Sequence, residues 1–177
     1  MKRFVFSIIA LLSVACAQKA FNDGQFVVNS QIQAGTYRSN VKADNCYWER
    51  LSDFTGKPAG RITNDLASGP QVVSILKTDK GFKSQRCAPW TPATKRITNS
   101  VNASFGDGTF VVGLDISAGT WVSENVSKGC YWERLSAFEG TSEARITNDI
   151  GEGQMIVEIA ADDVGFKSQR CGKWTKM

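Results

Sequence analysis

No histidine occurs anywhere in the 177 residues. That absence removes the Ser-His-Asp triad, every mechanism with an imidazole base, and the usual zinc sites. The five cysteines include no C-x-x-C pair, which leaves no thiolate metal site or thioredoxin-like motif. Phosphate-binding loops, a G-x-G-x-x-G turn opening a helix and EF-hand loops are all missing. Asp23 and Asp107 stand in turns, but without the further carboxylates that calcium requires. No cofactor and no metal are expected. Apolar runs are scarce: the longest, residues 4–14, falls short of the roughly 20 residues that span a bilayer. Lys and Arg number 21 against 17 Asp and Glu and gather into no basic stripe, so no nucleic-acid partner is expected.

What the chain does contain, it contains twice. Cys46-Tyr47-Trp48-Glu49-Arg50-Leu51-Ser52 returns as Cys130-Tyr131-Trp132-Glu133-Arg134-Leu135-Ser136, 84 positions later. The same offset carries Arg61-Ile62-Thr63-Asn64-Asp65 onto residues 145–149, Gly81 to Cys87 onto residues 165–171, and Trp90 onto Trp174, with no gap. This is a tandem duplication of one small unit. The expected organisation is a signal peptide at 1–17, a first unit at 18–91, a linker at 92–104 rich in Thr, Asn, Ser and Ala, and a second unit at 105–177.

Lys2 and Arg3 before the apolar run, and small residues after it, predict an export signal. Two cleavage readings compete. Ala15-Cys16-Ala17 is an A-x-A site, whereas residues 12–16 resemble a lipobox in which Cys16 would become the lipidated first residue. The membrane would then be reached only through that lipid. The other four cysteines fall two per unit at matched positions, which in an exported chain predicts disulfides. A duplicated unit should carry its own bridge, so the expected pairs are Cys46 with Cys87 and Cys130 with Cys171. The expected location is extracytoplasmic: secreted, or held at the cell surface.

Charge divides unevenly. Residues 21–87 carry nine Lys or Arg against six Asp or Glu, and residues 105–177 carry seven against eleven. Such opposition favours electrostatic contact between the units or head-to-tail contact between molecules. Neutral drift of solvated surfaces would leave the same imbalance.

Each unit reads as short strands between turns, with no convincing helical period. At 71–76 and 155–160 the copies keep Val73/Val157 and Ile75/Ile159 while Ser74 becomes Glu158, the pattern of a half-buried strand. The fold class is therefore all-β: a duplicated sandwich- or barrel-like unit with one disulfide each. In the strand at 46–51, Cys46, Trp48 and Arg50 share one side and Tyr47, Glu49 and Leu51 the other. One of the two charges then needs a partner, with Arg61, Asp65 and Arg86 as candidates.

Glu49 with Asp65, and Glu133 with Asp149, have the residue types of a general acid and base. The structural reading, an ion pair plus an Asn-Asp turn at 64–65, is the simpler one, and no catalytic residue is assigned. Trp48 and Trp132 are expected in the core. Tyr37 and Trp121, where the copies exchange tyrosine for tryptophan, are expected as exposed ligand contacts able to stack on a sugar ring. Lys83 and Arg86, with Lys167 and Arg170, belong to a polar string kept whole in both copies. They are candidate ligand contacts or parts of a structural turn.

As a set, G-T-[YW], C-Y-W-E-R-L-S, I-T-N-D, D-x-G-F-K-S-Q-R-C and the closing tryptophan resemble a small domain of secreted bacterial proteins, notably of actinobacteria. The resemblance implies an exported β-rich accessory module and supplies no catalytic residues. The function expected is non-catalytic binding or adhesion to an extracellular or envelope ligand, polysaccharide first. A secreted inhibitor or protein-interaction module is the alternative, and a hydrolase using the paired carboxylates a distant third.

Overall fold

The computed structural model describes residues 18–39, 44–93, 104–124 and 126–177. The export segment with Cys16, most of the linker, and residues 40–43 and 125 lie outside the described residues. The first copy contains strands β1 (Gly24–Val27), β2 (Gly35–Ser39), β3 (Cys46–Leu51), β4 (Arg61–Ala67), β5 (Gln71–Ile75), β6 (Gly81–Gln85) and β7 (Trp90–Pro92). They form two antiparallel sheets, ordered β1-β6-β3-β4 and β5-β2-β7, with Phe21 bridging to Trp90. The second copy contains β8 (Ser104–Phe105), β9 (Gly108–Val111), β10 (Gly119–Ser123), β11 (Val126–Leu135), β12 (Arg145–Gly153), β13 (Ile156–Ile159), β14 (Gly165–Gln169) and β15 (Trp174–Lys176). Its sheets, β12-β11-β14-β9 and β13-β10-β15-β8, repeat the first pair, with β8 where Phe21 stood.

The core of each copy lies between its two sheets. In the first, Tyr37, Val73, Ile75 and Trp90 from one sheet meet Trp48, Phe82 and the bridged cysteines from the other. The second repeats this with Trp121, Val157, Ile159, Trp174, Trp132 and Phe166. Phe82 and Phe166 each stand edge-on to the closing tryptophan at 5.5 Å, a favourable quadrupole geometry. Both bridges are formed, Cys46–Cys87 and Cys130–Cys171, each joining residues 41 apart in sequence.

The serine repeated in each polar string explains part of that string's retention in both copies. Trp90 Nε1 donates to Ser84 Oγ at 3.0 Å, and Trp174 Nε1 to Ser168 Oγ at 2.8 Å. Each hydroxyl in turn donates to a carboxylate, Asp23 or Asp107, at 2.8 Å. Those carboxylates also accept the backbone N–H of the bridged cysteines Cys87 and Cys171. A buried indole N–H is thereby satisfied and the turn before the bridge is tied to β1 or β9. Ser168→Ala should cost about 1–3 kcal/mol by leaving that donor without an acceptor. A lowered urea midpoint at unchanged slope would show it.

One local expectation is corrected. Asn64 and Asp65 are not a turn but lie within β4, as Asn148 and Asp149 lie within β12. Ile62, Thr63 and Leu66 suit a pleated strand, and pairing along β3 outweighs the turn preference of the Asn-Asp pair. The side-chain habit survives locally, since Asp65 Oδ1 accepts the Leu66 N–H at 2.9 Å.

Candidate functional site

The alternation of β3 sends Tyr47, Glu49 and Leu51 to the face of the sheet opposite the core, where β6 adds Lys83. A cleft of about 280 Å³ opens there, lined by Gln25, Tyr47, Glu49, Phe54, Lys57, Arg61 and Lys83 among others. Its electrostatic centre is Glu49. Lys83 Nζ stands 3.2 Å and Arg61 Nε 3.7 Å from the carboxylate, and the Tyr47 hydroxyl donates to it at 2.8 Å. Burial pushes the Tyr47 phenol above its ordinary pKa, and the bond to Glu49 adds to the shift.

In the second copy the same face is occupied by protein. The corresponding cleft shrinks to about 60 Å³, and Trp48, Asn64, Asp65 and Val72 of the first copy help to line it. Lys167, the counterpart of Lys83, pairs with Asp65 at 2.8 Å. Tyr131 still donates to Glu133, and burial together with that bond raises its pKa further than in the first copy. Val72, Leu135 and Phe138 form an apolar cluster between the copies. Around it, Arg50 Nη1 donates to Glu139 O at 2.6 Å, Thr63 Oγ1 to Gly140 O at 2.6 Å, Ser74 N to Phe138 O at 2.7 Å and Thr109 N to Pro70 O at 2.7 Å. Gly140 needs its missing side chain twice: its φ is +72°, and a Cβ there would lie 2.6 Å from the Trp48 ring.

One buried ion pair locks the two copies. Arg38 Nη1 and Nη2 reach the two oxygens of Asp115 at 2.7 and 3.2 Å, both side chains being shut off from solvent. Within the first copy, Arg50 is similarly held by Asp79 at 2.7 and 2.8 Å. Asp79 was not among the partners expected for that arginine. Its signal was present, because Asp79 and Asp163 precede Gly81 and Gly165 in both copies.

The expected ligand contacts divide. Lys83 and Lys167 do line the two clefts. Arg86 and Arg170 stand elsewhere, at left-handed turns with φ of 59°, their Nε atoms donating to Asn45 O and Gly129 O. Tyr37 and Trp121 are 0% exposed, which corrects the expectation that they face a ligand. The Tyr37 hydroxyl bonds Gln33 O and Trp121 Nε1 bonds Ser117 O, the same carbonyl in each copy, so one core position accepts either ring. Trp48 and Trp132 are core residues, as expected. Glu49 lies opposite Asn64 while Asp65 lies opposite Trp48, so the two carboxylates are on opposite faces of their sheet. Phe54, the exposed aromatic at the cleft edge, was missed, though Phe138 repeats it.

Two stapled β units sharing one architecture, one with its outer sheet face open and the other with that face covered by protein, define a disulfide-bonded all-β repeat domain. The chain belongs to the Rv1352-like extracellular domain family, whose profile matches residues 18–91 and again 102–175. Similar curated proteins are "Uncharacterized protein Rv1352" of Mycobacterium tuberculosis and "Uncharacterized protein Mb1387" of Mycobacterium bovis. Each is 29% identical over 85 residues, covering 41% of this chain and 69% of the relative. No solved structure matches.

Proposed function

We propose that this extracellular protein is a non-catalytic protein-binding domain whose first-unit cleft, centred on Glu49, Phe54 and Lys83, receives a protein partner. One observation carries the reading: the same sheet face occurs twice, and where it is covered, a protein surface covers it. The polysaccharide reading rests on Tyr37 and Trp121 as exposed sugar-stacking rings, and both are instead core. Against hydrolysis, Glu49 is held by two cations and a phenol, with Asp65 on the other side of the sheet. A lipid on Cys16 would keep such a domain at the cell surface, and intact mass of the exported protein tests that directly.

A photo-crosslinking residue placed at Lys57, on the cleft rim, should yield protein adducts when the exported protein matures in its host. Phe54→Ser should abolish them without lowering the melting temperature, since Phe54 is exposed in the free chain. Binding to cell-wall polysaccharide that is lost in Phe54→Ser, with no protein adduct formed, would overturn the proposal.

A further inference from the structure

The contact between the copies is head-to-tail: the β4–β5 side of the first covers the cleft face of the second. A heterologous contact of this kind leaves one unused half at each end of the molecule. Matched residues reveal the two halves by exposure. Phe138 is 6% exposed, but its counterpart Phe54 is 48% exposed; Val72 is 3% exposed, but its counterpart Ile156 is 60% exposed. Resting on the protein-binding reading of the cleft, we propose that its occupant is a second copy of this chain. The second unit of that copy would dock through Asp149, Ile156 and Arg134 onto the first-unit cleft.

The internal joint is the template. At the external one, each of its polar contacts but the locking ion pair has a chemical equivalent. Arg134 replaces Arg50, held by Asp163 as Arg50 is by Asp79, and more exposed for want of a neighbour: 24% against 2% for the side chains. It would donate to Thr55 O where Arg50 donates to Glu139 O. Thr147 would donate to Gly56 O, and the backbone N–H of Glu158 to Phe54 O. Gly56 keeps the left-handed φ of Gly140, at +74°, with open space where Trp48 fills the internal joint. Lys83 would leave Glu49 for Asp149, the exchange that Lys167 shows by standing on Asp65. Glu158 takes the place of Ser74 on a rim that Lys80 and Asp53 would face.

The locking ion pair is the exception, and it changes on both sides at once. Arg38 becomes Val122 and Asp115 becomes Gln31, so docking strands no buried charge. The joint between molecules is accordingly weaker than the joint within one. The net positive first unit and net negative second unit attract in the same sense.

Sedimentation of the mature protein over a concentration series should show mass rising past the dimer, because an open head-to-tail contact does not stop at two. Lys83→Glu and Asp149→Lys should each weaken association by roughly thirtyfold. Asp149→Lys should leave the thermal melt unchanged, and Lys83→Glu should lower it, because it sets a second carboxylate beside Glu49. Mixed together, these two variants should assemble past the dimer again, since the original charge pair forms at one joint and the exchanged pair at the next. The chain carrying both changes should assemble with itself again. A monomer at every concentration, or assembly indifferent to both charges, would overturn self-docking. If protein adducts at Lys57 then persist with a different protein, the binding reading stands while the second copy is excluded as its partner.

Discussion

Asp115→Asn should destabilise the protein by about 3–5 kcal/mol, because it leaves the Arg38 guanidinium buried without its counter-charge. Arg38 donates two hydrogen bonds to that carboxylate at a joint closed to solvent, and its remaining contact is to Ala93 O. Breaking such a pair costs far more than the pair contributes over an apolar substitute. The chain supplies the substitute itself: Val122 and Gln31 occupy the equivalent positions at the free ends. Combining Arg38→Val with Asp115→Gln should therefore recover most of the loss. Urea denaturation of the two single variants and the double gives the coupling directly. A single variant as stable as wild type would mean that this joint opens in solution.

Removing one bridge should have an effect of similar size. Cys46→Ala with Cys87→Ala releases a loop closed over 41 residues, a loss of about 4 kcal/mol in the chain-entropy model. Each copy has a thin core for its length, so that loss is a large part of its stability. The first unit should unfold ahead of the second, giving two transitions where wild type gives one. Tryptophan fluorescence would follow this, because Trp48 and Trp90 report the first unit and Trp121, Trp132 and Trp174 the second. Unfolding that stayed single and unshifted would remove the covalent staple from the account of stability.

Period-two alternation and matched cysteines made the architecture legible in the sequence. Val73 and Ile75 face the core and Ser74 does not, and both cysteine pairs join within a unit. Asn64-Asp65 predicts a turn because the pair is a local signal, whereas the β3 pairing that makes it strand joins residues further apart in the chain. Tyr37 misled for a different reason. Exchange of tyrosine for tryptophan resembles surface tolerance, yet both rings satisfy their polar atom on the same carbonyl inside the core. The joint between the copies was hidden most thoroughly. Val72 and Ile156 are equivalent apolar residues, and a comparison of copies does not show that one is covered and the other bare. Arg38 aligns with Val122, an exchange that only Asp115 across the joint explains.

The locked joint also makes the order of the copies along the chain matter. In a gene with the two units exchanged, valine would meet glutamine at the middle of the molecule, while Arg38 and Asp115 would sit at opposite tips. Such a transposed chain would carry every residue of the original and retain both folds. It would lose its firm waist and acquire sticky, oppositely charged poles, so that fibres rather than compact particles become its favoured form.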